Sequence, residues 1–252
     1  MVYGFYGAGE NKIKLLRIIN SMEVFRDNIY DYLYHFPEQK IYLMYDHRFA
    51  LWSWINEIKN EEFEKFSLVH IDTHHDCSED FIEERGEEFF DNLANFKEIN
   101  NFKLAKYKTT KKEIDLIGCG SFLGVALRGN LFECIYFFTR SDNASSSYRE
   151  CFEACNQNKF CNTKVEYHER ENFKRLKEIL ETNNNIFLDL DLDYFTDDLA
   201  DSKKVFSEKK VFKYFNLIKN NSKNIKLITV AVTSNNYMLI KNQFVKYFNL
   251  EK

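Results

Sequence analysis

The sequence predicts an α/β protein, a three-layer α/β/α arrangement around a mainly parallel sheet, in one domain over residues 1–252. Two observations predict it. Short apolar runs rich in β-branched and aromatic residues alternate along the chain with longer amphipathic runs. Turn-formers are scarce, with one proline and eight glycines, so no linker, internal repeat or low-complexity tract divides the chain. Strands that alternate with helices imply parallel pairing and a sheet covered on both faces.

Taken in order, "KIYLMYD" reads as a strand and "FALWSWINEIKNEEFEKF" as a helix. "SLVHID" is a strand, and the acidic "SEDFIEERGEEFFDNLANF" after it is mostly helical. "ECIYFFT" is a strand, followed by a polar connection and a helix running through Cys155. "TKVEYH" is a strand, and "ENFKRLKEILETN" a helix with Leu176, Ile179 and Leu180 at helical spacing. "NIFLDLDLDYF" reads as a strand, "SEKKVFKYFNLIKN" as a helix, "IKLITVAVTS" as a strand and "NYMLIKNQFVKYF" as the last helix.

Composition narrows the function classes. A net charge of -4 and the lack of a basic stripe interleaved with aromatics argue against a nucleic-acid binder. No run approaches the roughly 18 apolar residues of a membrane span, and the N-terminus lacks a secretion-signal pattern, so a cytoplasmic protein is expected. Six cysteines in such a chain are expected to be reduced thiols. Cys151, Cys155 and Cys161 cluster, with His168 the available fourth zinc ligand, but a packed cysteine face accounts for them more simply. Cys119, in "GCGSF", has no identifiable partner base.

In parallel α/β sheets, sites form at the carboxyl ends of the strands, and here three strands end in metal-type side chains. The first ends in Asp46 and His47, and the second in "HIDTHHD", with Asp72, His74, His75 and Asp76. The third, "LDLDLDYF", places Asp189, Asp191 and Asp193 on one face of an extended chain, opposite Leu188, Leu190 and Leu192. Asp72, His74 and Asp76 share a face in the same way while their segment stays extended. Carboxylates packed that closely behind an apolar approach would repel one another unless a cation neutralised them. Each oddity has an ordinary explanation alone: helix N-caps after Asp76, a solvated acidic edge strand, a turn histidine. Those explanations do not account for all three falling at strand ends. Aspartates with two histidines and no thiolate suit manganese above all, then iron, cobalt or zinc. The surplus of carboxylates suggests two ions with bridging aspartates, a device for hydrolysis.

The same residues resemble a family. "HIDTHHD" is similar to the D-x-H-x-D segment of the arginase, agmatinase and deacetylase superfamily, "LDLDLDYF" to its later D-x-D segment, and "MYDHR" to the earlier turn that provides the first histidine ligand. Order and rough spacing agree over about residues 40–235. The wording looks most like the peptide arginases, with Asp46, His47, Trp52 and Trp54 in an aspartate-histidine turn plus a tryptophan-bearing helix, and a late strand at Thr229 to Thr233. The resemblance implies an arginase-like fold, two manganese ions, and conversion of arginine in a ribosomally made precursor peptide to ornithine, with release of urea. It places His47, Asp72, Asp76 and Asp189 around one ion, and His74, Asp72, Asp189 and Asp191 around the other. Asp76 would also orient the attacking hydroxide, and Asp193 would align the guanidinium. Arginases continue as D-x-D-x-x-D-P, whereas this chain has Asp193, Tyr194 and Phe195, which leaves Asp189/Asp191 and Asp191/Asp193 both open as ligand pairs. His70 reads as a core or ligand-supporting histidine, and His75 as a residue facing substrate or solvent. Superfamily members are often oligomeric, and no interface is legible here. Competing expectations are a zinc deacetylase on the same fold, for which His74–His75 would be a proton-handling pair, and a metal-stabilised peptide-binding protein without turnover.

Overall fold

In the chain's central strands, apolar residues occupy both faces, as parallel strands buried on both sides require. The computed structural model describes residues 22–28, 31–58, 65–77, 99, 102, 106–108, 113–115, 117–140, 162–169, 172–196, 206–232 and 238–250. The elements are β1 (Met22–Asn28), β2 (Asp31–Phe36), β3 (Ile41–Met44), α1 (Phe49–Ile58), β4 (Ser67–Asp72), β5 (Lys106–Lys108), β6 (Glu113–Asp115), α2 (Phe122–Arg128), β7 (Cys134–Thr139), β8 (Lys164–Glu169), α3 (Phe173–Thr182), β9 (Ile186–Asp191), α4 (Glu208–Asn220), β10 (Ile225–Ala231) and α5 (Met238–Tyr247). An eight-stranded sheet runs in the order β1-β2-β3-β10-β9-β4-β7-β8, and β5 and β6 form a separate hairpin.

From β3 to β8 all neighbours are parallel, whereas β1, β2 and β3 pair antiparallel. The α/β class and the mainly parallel sheet are therefore as expected from the alternation of runs. The β1–β2 meander, the β5–β6 hairpin and α2 were not expected. The acidic run after Asp80, and the segment that carries Cys151, Cys155 and Cys161, lie outside the described residues. Among the described residues no helix is long and apolar enough to cross a membrane.

Strand alternation sorts the core into two sets. Val69, Ile71, Leu188, Leu190, Ile228 and Val230 pack with residues of α3, α4 and α5. Their neighbours Leu68, Phe187 and Leu227 point the other way, into a core shared with α1 and α2. Two residues further along each of those three strands, the α1–α2 face changes from apolar to polar: His70, Asp189 and Thr229 follow Leu68, Phe187 and Leu227. Register aligns these three in one row, with His70 opposite Asp189 and Thr229 opposite Asp189. The next tier holds Asp72 and Asp191, with the small Ala231 opposite Asp191. The site is therefore built into the sheet surface, beneath the turn that leads into α1.

The expected strand through Phe195 is shorter. It ends at Asp191, and Leu192–Phe195 form a 3₁₀ turn. The Asp191 carboxylate causes the change, because its Oδ1 accepts from the Asp193 backbone N–H at 3.0 Å and so supplies the bond that starts the turn. The aspartates thus do not form one row of three. Nor does the chain stay extended from Asp72 to Asp76. His74 N donates to Asp72 Oδ1 at 2.7 Å, and Asp76 adopts a left-handed conformation with φ 50°.

Candidate metal centre

His47 is at the hub. It sits in the turn between β3 and α1, only 1% exposed, with its ring against Phe122 of α2. Its Nδ1 faces three carboxylate oxygens: Asp76 Oδ2 at 3.1 Å, Asp72 Oδ2 at 3.3 Å and Asp191 Oδ2 at 3.3 Å. Its Nε2 faces a fourth, donating to Asp189 Oδ2 at 3.0 Å. The bends noted above produce this convergence. The left-handed turn at Asp76, whose carbonyl accepts from Leu123 N at 3.0 Å, brings that carboxylate back beside Asp72.

A second group lies on the outer side of Asp72. His74 Nδ1 is 3.5 Å from Asp72 Oδ1 and 3.1 Å from Asp193 Oδ2. The His74 side chain is 56% exposed while both aspartates are buried, so this group borders solvent. Asp193 Oδ1 accepts from Thr73 N at 3.1 Å, which locks the 3₁₀ turn to the loop after β4. Asp72 therefore turns one oxygen towards each group.

Below both, Asp189 is saturated. Its Oδ2 accepts from His47 Nε2 and from His70 Nδ1 at 2.8 Å, and its Oδ1 accepts from the Thr229 hydroxyl at 2.6 Å. The Thr229 hydroxyl in turn accepts from the Trp54 indole N–H at 3.2 Å. His70 Nε2 lies 3.3 Å from the His74 carbonyl, so both His70 nitrogens meet acceptors, an arrangement that favours the protonated ring. The Asp189 bond holds the proton of His47 on Nε2 and directs Nδ1 at the other carboxylates.

Charge gives the site its character. Five buried aspartates face His47, His70 and His74, and even with every imidazole protonated negative charge is in excess. Burial raises the carboxyls of Asp76, Asp191 and Asp193, and the neighbouring aspartates raise them further, Asp76 to about 7. Burial pushes Asp72 and Asp189 the same way, but the histidines outweigh it, leaving Asp72 well below the usual range and Asp189 at about 2. Burial would lower His47 and His70, yet the surrounding aspartates hold both above the ordinary imidazole value. His74, hydrogen-bonded to Asp193 and Asp72, rises to about 11.

Three sets of side chains have atoms close enough to share an ion: His47, Asp72 and Asp76; Asp72, His74 and Asp193; and His47, His70 and Asp189. A cation fits the first two best. Asp72 Oδ2 is buried and makes no hydrogen bond, with only the His47 and His70 rings at 3.3 and 3.7 Å to offset its charge, a position an ion would fill well. The third set already satisfies its own polar atoms. The donor set, carboxylates with imidazoles and no thiolate, suits a hard to borderline divalent ion.

The structure thus brings together His47, Asp72, Asp76, Asp189 and Asp191 around one ring, and Asp72, His74 and Asp193 in a second group. His75 points elsewhere than expected, into the protein. It is 3% exposed, with Nε2 2.7 Å from the Tyr167 hydroxyl and 3.4 Å from that of Thr139. Burial, reinforced by the charge on His70, lowers its pKa to about 4. Cys119 is exposed on the turn before α2, and His168 pairs with Glu166 at 2.9 Å.

Sequence reasoning missed Arg140, Tyr167 and Thr139. The signal for Arg140 was present, since a lone arginine ends the apolar "IYFFTR" run at the carboxyl end of a strand, beside the motif strands. Tyr167 carried none, because an aromatic inside a strand reads as core. No family model matches the chain, and no curated protein matches it.

Proposed function

We propose that the chain is a manganese-dependent hydrolase of the peptide-arginase kind, with an arginase-like three-layer fold, acting in the cytoplasm on arginine residues of a ribosomally made precursor peptide. The observation that carries the reading is Asp72, buried, with one oxygen facing His47 and its aspartates and the other facing His74 and Asp193. A carboxylate so placed could be shared between two ions. One ion would be held by His47 Nδ1, Asp72, Asp76 and Asp191, the other by Asp72, His74 and Asp193. Of the two pairings the sequence leaves open, the geometry favours Asp191 with Asp193, because Asp189 is saturated behind His47.

Two such ions would supply hydroxide from water at neutral pH and polarise the substrate. The chain's own residues do the rest. Asp76, whose carboxylate lies beside those of Asp72 and Asp191 around His47, orients the attacking water and takes up its proton. Water adds to the guanidinium carbon, the bond from that carbon to the arginine side-chain nitrogen breaks, and the nitrogen leaves with a proton as the ornithine amine while urea departs. The half-exposed His74 marks the solvent side, where a side chain presented by a peptide would enter.

The first test is metal content together with urea release, using manganese-loaded protein with free arginine and an arginine-containing peptide side by side. About two ions per chain and urea from the peptide alone are expected. One zinc and no urea from either would overturn the reading and point to deacetylation of acyl-lysine or an acetyl-polyamine. Tight peptide binding to the loaded protein without urea would indicate a binding protein.

A further inference from the structure

We propose that Arg140 is the positioning residue for the outer of the two ion sites, the one formed by Asp72, His74 and Asp193; the inference rests on the two-ion reading. Arg140 follows β7, and its backbone N–H donates to the Asp72 carbonyl at 3.3 Å. Its guanidinium then ties together two segments that are distant in sequence. One terminal nitrogen donates to the Thr73 hydroxyl at 2.8 Å and to the Asp193 carbonyl at 3.2 Å, and also bonds the Thr196 carbonyl. The guanidinium carbon lies 5.7 Å from the Tyr194 ring centroid and 5.8 Å from that of Phe206, so aromatic faces hold the group in place.

The consequence follows from what those acceptors carry. Thr73 lies between Asp72 and His74, and Asp193 and Thr196 lie at the start and just past the end of the 3₁₀ turn. With Thr73 N bonded to Asp193 Oδ1, the arginine closes a clasp around the loop and the turn that provide the ligands of the outer group. Its bonds go to a hydroxyl and carbonyls and leave the Asp193 carboxylate to His74 and an ion. Of the inner ligands, His47 and Asp76 are held by other elements, the turn before α1 and the N-terminus of α2, while Asp72 and Asp191 are the last residues of β4 and β9. Removal of the clasp therefore loosens the outer site more than the inner one. All three bonds leave one nitrogen, so a lysine, with three N–H donors on its ammonium, can keep part of the clasp, and Arg140→Lys recovers part of what Arg140→Gln loses.

The experiment is manganese titration of the full chain by calorimetry, with metal analysis and electron paramagnetic resonance to follow the coupled ion pair. Wild type is expected to take up two ions. In Arg140→Gln one ion's affinity falls at least about tenfold, the coupled-pair signal is lost at limiting manganese, and the other ion stays within about threefold, while Arg140→Lys shows a smaller loss at the same ion. Thr73→Val removes one acceptor at nearly constant shape, and gives a smaller loss at the same site; it carries the test if the Arg140 variants do not fold. Two ions in wild type with unchanged or equally weakened affinities in the variants would overturn the role of Arg140. Fewer than two ions in wild type would overturn the two-ion reading itself, and the inference with it.

Discussion

Asp189 and Asp72 are buried side by side in one cluster and are opposite in kind. Asp189 accepts from two imidazoles and a hydroxyl, whereas Asp72 keeps an oxygen with no hydrogen bond. A carboxylate with all its positions filled has little to offer an ion, but it fixes the tautomer and orientation of a ligand histidine. Asp189→Asn should therefore leave two manganese ions per chain, and weaken them by roughly 10- to 100-fold, because the negative charge behind His47 and one of the acceptor positions are lost. Asp193→Asn should abolish the outer ion and leave the inner one. Metal analysis after desalting at fixed free manganese separates the two cases. Loss of a whole ion in Asp189→Asn, with both kept in Asp193→Asn, would mean that Asp189 and Asp191 are the ligand pair.

At the level of elements, the carboxyl end of β9 shows what period-two reasoning can and cannot deliver. Alternation correctly places Asp189 and Asp191 on the face opposite Leu188 and Leu190, because it depends only on the pleat. It fails at Asp193, where a side chain competes with the ladder for a backbone N–H and the strand becomes a 3₁₀ turn. The same competition, by Asp72 for the N–H of His74, bends the second motif. Asp191 thus has two separable tasks, capping the turn and providing negative charge. Asp191→Asn retains an acceptor oxygen and should unfold in urea, with chelator present, at a concentration no lower than wild type. Asp191→Ala loses the cap as well, and should be less stable than Asp191→Asn by about 1 kcal/mol. Both should lose manganese affinity. Equal stability of the two variants without metal would show that the turn forms without its cap. The edge strand β1 was illegible because "MEVFRDN" mixes charges among its apolar residues, and α2 because seven residues hold too few turns for a periodicity; β2, paired on both sides and largely buried, was overlooked although "DYLYHF" is mostly apolar.

For the whole molecule, the charge excess couples folding to protons and to ions in opposite senses. Asp76, Asp191 and Asp193 have carboxyls raised by folding, Asp76 to about 7. A raised carboxyl binds its proton more tightly in the folded chain, so its stabilisation is full below about pH 4 and is lost as pH climbs through the folded value. His47, His70 and His74 are raised as well; their contribution is full below about pH 6.5 and also declines with rising pH. Asp72 and Asp189, lowered by folding, act in the other direction, but only as pH falls below about 4. His75, lowered to about 4, and His35, also lowered by burial, oppose this trend up to about pH 6.5. Between about pH 6.5 and 8, then, the metal-free protein should lose stability as pH rises. Ion binding displaces the protons of these same side chains, so its contribution grows over that interval. The Tm measured with chelator should fall with pH, and the gap between the Tm with manganese and the Tm with chelator should widen. A gap that stays constant or narrows would show that the cluster satisfies its own charge, with its imidazoles as the only cations, and the metal reading would fall with it.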